Sequence, residues 1–186
     1  GTAGVDWWLF DPARFPRGCV VRAFCERTGI EPPEADAARM NDSLSLPAIR
    51  LLYAYRRFGP GYGRGEDALQ QNQRLKNRLL ELPGPRLRFH ADLLAPLLSR
   101  GREDLGWIEA RLGERLDEEL DSTPGCVRTE ADLLAFGAGE LDWLAARLGR
   151  PSLPGPATPE RVAGWVNELR LAPEREEGVL RRWWRG

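Results

Sequence analysis

The chain has 186 residues, 27 basic and 28 acidic side chains, and a net charge of −1, so it carries no global basic field of the kind that holds nucleic acid. Its 42% apolar and 30% charged content excludes a disordered chain, and its length suffices for one ordinary domain with a real core.

The first predicted element is "VDWWLF" (5–10), short, aromatic and closed by Asp11-Pro12, which reads as a strand. No second strand is available to pair with it, and a lone strand is unstable, so an edge or orphan strand of an incomplete sheet is expected. Trp7 and Trp8 face opposite sides of such a strand and are expected to differ in exposure. Next, "FPRGCVVRAFCERTGI" places Val20, Val21, Phe24 and Cys25 on one helical face, with Gly29 as its stop. After the polar loop "EPPEADAAR" comes the clearest helix, in "NDSLSLPAIRLLYAYRRFGP". Ser45 is its N-cap, Pro47 is tolerated in the first turn, Leu52, Tyr55 and Phe58 are spaced by three with Ile49, Leu51 and Tyr53 broadening the apolar side, and Gly59-Pro60 ends it.

A further helix is predicted from about Asp67 to Leu82, stopped by Pro83-Gly84, and then one broken near Pro96. "REDLGWIEARLGERLDEEL" is another, with Trp107, Ile108, Leu112 and Leu116 inward and Gly113 at a bend or break. Thr129 and Asp132 form a capping-box pattern, and Gly149 closes the helix that follows. "WIEARLG" and "WLAARLG" share a phrase and read as two helices with the same tryptophan anchor and glycine stop. "PSLPGPATPE" reads as a linker, followed by a short amphipathic helix and the tail "PEREEGVLRRWWRG". The resulting partition is a helical domain at 1–149, a proline-rich linker at 150–160, and a C-terminal helix and tail at 161–186.

Few residues look like chemistry. Cys19, Cys25 and Cys126 include no CxxC pair, which argues against zinc and against a disulfide framework. His90 is the single histidine, so a two-histidine metal site is excluded; it stands before a helix start, where it caps, packs or acts as a base. Glu118, Glu119 and Asp121 read as a solvated acidic face, and Trp183 and Trp184 among arginines as a docking tail. The loop "GPGYGRG" (59–65) lacks a P-loop pattern and follows a helix, so it reads as a helix stop. It becomes an anion contact only if Arg56, Arg57 and Arg64 converge. Arg56 and Arg57 are consecutive on a helix and diverge by about 100°, so at most one of them joins Arg64. Only Lys76 among the basic residues is lysine, a bias that suits anion pairing and that GC-rich codon usage also produces. No apolar run reaches the ~20 residues of a membrane span, and no signal peptide is visible, which together with the free cysteines leads to an expected cytoplasmic location.

Three stretches, "WWLFDPARFPRGCVVRAFCERTGI", "NDSLSLPAIRLLYAYRRFG" and "FHADLLAPLLSRGREDLGWIEARLG", resemble segments of bacterial sulfotransferase-like proteins, over roughly residues 5 to 149. The resemblance implies a mainly α chain with one short strand, the helical C-terminal portion of an α/β P-loop sulfotransferase-like fold. Such proteins transfer a sulfuryl group from 3′-phosphoadenosine 5′-phosphosulfate (PAPS) to an acceptor hydroxyl, often on a carbohydrate. The family's "K-T-G-T-T"-like donor loop has no counterpart here, so no cofactor is expected in this chain and PAPS only in a longer parent. "GTAGVDWWLF" reads like the middle of a protein, and the expected partner is a missing N-terminal half, with no nucleic acid and no membrane. The implied substrate-binding candidates are Asn41, Ser43 and Ser45, beside Arg56, Arg57 and Arg64 from the loop reading; helix capping is the plain alternative for the first three. The expected function is thus the acceptor-side scaffold of a sulfotransferase, inactive alone; the alternative is a non-catalytic helical protein-interaction module.

Overall fold

The computed structural model describes residues 4–31, 43–116, 120–152 and 155–173. Asn41, Glu118, Glu119, Trp183 and Trp184 therefore lie outside the described residues. The chain divides into two compact units, Gly1–Asp42 with His90–Ser122, and Ser43–Phe89 with Thr123–Gly186. Its secondary structure is mainly α. Among the described residues there is no sheet, only isolated bridges between Ser45 and Arg86 and between Phe89 and Val127.

The first unit opens with residues 5–10, and here the expectation of a strand is corrected: they join no ladder among the described residues. Side-chain packing holds them in place of pairing. Trp7 meets Trp107 edge-on at 5.3 Å, and Trp8 lies against Phe24 at 5.8 Å. The two indoles do differ in exposure, with Trp7 exposed and Trp8 half-buried. Two short 3-10 turns, Pro12–Arg14 and Pro16–Gly18, lead into α1 (Val20–Thr28), which Gly29 ends in the left-handed conformation. The predicted apolar face of α1 forms, but only Cys25 is buried; Val20, Val21 and Phe24 are exposed.

Helix α4 (Ala91–Arg100) runs on through Pro96 instead of breaking there. His90 is its N-cap, with buried Nδ1 accepting from the Asp92 N–H at 3.1 Å, so that the imidazole stands in for the usual capping hydroxyl or carboxylate. In α5 (Arg102–Leu112) the expected inward Trp107 is instead exposed, and Gly113 is the expected break: it ends the helix.

The second unit holds the core. Helix α2 (Leu46–Phe58) packs along α8 (Pro159–Leu171), with α3 (Glu66–Leu80) and α7 (Ala138–Leu148) also against α8. Leu51, Tyr55, Leu75, Leu79, Leu144, Val162 and Val166 are fully buried there. The inward stripe of α2 is Ala48, Leu51, Ala54 and Tyr55; of the broad apolar side read from the sequence, Leu51 and Tyr55 are fully buried while Ile49, Leu52, Tyr53 and Phe58 are half-buried, and the alanines allow α8 to approach closely. Helices α7 and α8, on either side of the proline-rich stretch, contribute to the same core.

Local signals explain several ends. The Ser45 hydroxyl accepts from the Ala48 N–H at 3.3 Å and donates to the Leu82 carbonyl at 2.8 Å, fastening the start of α2 to the chain leaving α3. Gly84 sits against this junction, where a Cβ would come within 2.8 Å of the Pro47 ring. Asp132 reaches back to the N–H groups of Arg128 and Thr129, both at 2.8 Å, at the single turn α6 (Glu130–Leu133). Those bonds hold its carboxyl below the ordinary aspartate range. The shared phrase of α5 and α7 builds one device twice. Arg111 lies over Trp107 and Arg147 over Trp143, and Gly113 and Gly149 close their helices at φ +74° and +67°.

Candidate functional site

Among the described sequence candidates, Ser45 is taken up by the fold, and Arg56 and Arg57 point to different partners. Ser43 is exposed, and both bonds of the Ser45 hydroxyl are spent on the fold. Ser45→Ala should cost about 1–2 kcal/mol, read as a lower urea midpoint, with no change in any ligand affinity; a stability-neutral substitution would show that these bonds are not formed in solution. Arg56 and Arg57 leave α2 in different directions, as consecutive helical residues must. Arg56 lies 4.9 Å from the centre of the Tyr62 ring, and Arg57 lies 3.8 Å from the Glu130 carboxylate. Glu130 also accepts from the Tyr53 hydroxyl at 2.6 Å, a bond that holds the phenol protonated above its ordinary range. Arg64 is exposed.

The glycine loop between α2 and α3 does stop a helix. The Gly59 N–H bonds the Tyr55 carbonyl at 2.9 Å, and a Cβ at Gly59 would stand 2.4 Å from that oxygen. From there the loop folds over the end of the core. The Tyr55 hydroxyl donates to the Gly61 carbonyl at 2.7 Å, and the Tyr62 ring meets Tyr55 edge-on at 6.4 Å. Gly61, Gly63 and Gly65 all take positive φ, which spares the loop the strain an L side chain would carry.

Beneath the loop lies a residue that the sequence reading passed over. Arg170, on the last turn of α8, is 7% exposed. Its Nη2 donates to the Gln71 side-chain oxygen at 2.7 Å and lies 3.5 Å from the Tyr62 carbonyl, while Nη1 donates to the Asn167 side chain at 3.2 Å. Its Nε meets no acceptor, and it pairs with no carboxylate among the described residues. The signal was available: Ala163, Val166 and Arg170 share one helical stripe, so a charge stands on the apolar face. Arg78 is a second such residue. Its guanidinium gathers the carbonyls of Leu169, Ala172 and Pro173 at the end of α8, where a cation also complements the helix dipole.

Charge is distributed unevenly along the sequence. Residues 43–89 carry nine basic and three acidic side chains, whereas 1–42 with 90–122 carry nine basic and sixteen acidic. In the first unit a cleft of about 230 Å³ is lined by Trp8, Phe15, Arg27 and Glu26 and by the Arg14–Glu114 ion pair, 2.6 Å long. Glu140, on α7, is buried, and desolvation raises its carboxyl above the ordinary glutamate range against the Gly137 N–H and Arg50, which favour the charged form. No group of three or more potential metal ligands occurs among the described residues, and no helix there is long and apolar enough to cross a membrane.

In comparison with known proteins, no family model, no curated protein and no solved structure matches the chain.

Proposed function

We propose that this chain is a helical protein-interaction module whose first unit docks a partner helix and which performs no catalysis of its own. The observation that supports this reading is the apolar surface of that unit. Among its described residues only Cys25 and His90 are buried, while Val20, Val21, Phe24, Leu93, Leu97 and Trp107 are exposed. Such a unit gains stability from any partner that removes those side chains from water, at roughly 25 cal/mol per Å². The acidic excess of the same segments favours a partner whose apolar face is flanked by lysine or arginine.

Selection from a displayed library of helical peptides tests this. The enriched peptides should be apolar with basic flanks, and Phe24→Glu should weaken them at least about tenfold, the loss of one central apolar anchor. Peptides that bind Phe24→Glu as well as wild type would remove α1 from the surface. Under the resemblance to sulfotransferases, the chain would instead be the acceptor-side part of an enzyme. Turnover of PAPS by the purified chain would overturn the non-catalytic reading.

A further inference from the structure

We propose that the glycine loop 59–65 and Arg170 form a phosphate-binding site, with Arg56 and Arg64 at its mouth. A guanidinium stays protonated in a protein, and burying it without a counter-ion is costly. Arg170 is buried, yet its partners, Gln71, Asn167 and the Tyr62 carbonyl, are all neutral. They hold the fork in one orientation without cancelling its charge, the condition under which a cation binds an oxyanion well.

Two further features concern the same carbonyl. Asn72 donates to the Tyr62 oxygen at 3.0 Å, and its own buried side-chain oxygen receives no hydrogen bond. The Arg170 Nε, also buried, finds no acceptor. One side chain lacks an acceptor and the other lacks a donor. Hydrogen phosphate can serve both, through its anionic oxygens and its P–OH; sulfate offers acceptors alone. Gly63 sets the access. Its φ is +71°, and a Cβ there would lie 3.0 Å from the Ala68 Cβ and 3.4 Å from the Arg170 Nη2, so any side chain at this position would crowd the guanidinium. Outside, Arg56 rests on the Tyr62 ring, and neither it nor Arg64 has a carboxylate partner among the described residues. The basic excess of residues 43–89 favours anions over cations on these two helices and their loop. Glu66 and Asp67, in the first turn of α3, oppose it.

The test is calorimetric titration of the full chain with inorganic phosphate, with sulfate and with chloride, all at matched ionic strength. Phosphate should bind more tightly than sulfate, and chloride should give no saturable heat. Arg64→Gln, at an exposed position, should leave the unliganded melting temperature unchanged and lower phosphate affinity about tenfold, the loss of one charge-assisted contact. Arg170→Gln should abolish binding; if that variant does not fold, Arg56→Gln and Arg64→Gln carry the test. Phosphate affinity unchanged in Arg64→Gln, or heats no different from chloride, would overturn the site. Equal affinity for phosphate and sulfate would overturn the part assigned to Asn72.

Discussion

Leu51→Ala should destabilise the second unit by about 2–5 kcal/mol, while Leu97→Ala in the first unit should change stability by less than about 0.5 kcal/mol. Both remove the same atoms from the middle of a helix. Leu51 is fully buried on the stripe that α2 turns toward α8, so its truncation loses the transfer free energy and leaves a cavity in the core it shares with Tyr55, Leu144 and Val166, which closes only in part. Leu97 is 53% exposed, so most of its surface already meets water. Hydrogen exchange separates the units where a global melt does not: Leu51→Ala should lower protection of the α8 amides, and Leu97→Ala should leave them unchanged. Equal effects of the two substitutions would show that the apolar surface of the first unit is covered in solution.

What the sequence revealed and what it concealed divide by range. Helix ends were legible because their causes are local. Ser45, Gly59, Gly149 and the pairing of Asp132 with the amides before α6 each act within four residues. The packing of α2 on α8 was not legible, since it joins segments more than a hundred residues apart across a proline-rich stretch that looks like a boundary. "VDWWLF" misled for a related reason: strand-like composition reports side chains that pack well, and these pack on helices. On α1 the period of the apolar face was readable, but period states which residues share a face and not whether anything covers it. At the glycine loop the arginines nearest in sequence were the natural candidates. Arg170, the one that meets the loop, arrives from 105 residues beyond Gly65 and shows only as a charge in an apolar stripe.

Arg50→Met should destabilise the second unit by about 3 kcal/mol at neutral pH, with the cost shrinking as pH falls. Arg50 does two things: its Nε donates to the Asp132 carbonyl at 2.9 Å, and its Nη1 is the cation nearest the buried Glu140 carboxylate, at 3.9 Å. Methionine keeps the aliphatic packing and removes both. The carboxylate is then left buried with the Gly137 N–H and no opposing charge. Glu140 already takes its proton more readily in the fold than in the unfolded chain, because desolvation outweighs its partners. A group with a raised folded-state pKa contributes most below its unfolded value, and that contribution is lost as pH rises through the folded value. Removing Arg50 pushes the folded value higher still. The variant's deficit should therefore be full above that value and fall toward the cost of the Asp132 hydrogen bond alone once Glu140 is protonated. Asp132 does not cancel the trend, since its own carboxyl is held below the ordinary range and ionises lower down. Adding Glu140→Gln to Arg50→Met should recover most of the lost stability at neutral pH and flatten its pH dependence. Urea midpoints of the single and double variants between acid and neutral pH decide it: a deficit that is constant with pH, or that Glu140→Gln does not relieve, would place the role of Arg50 in its bond to Asp132 rather than in the buried pair.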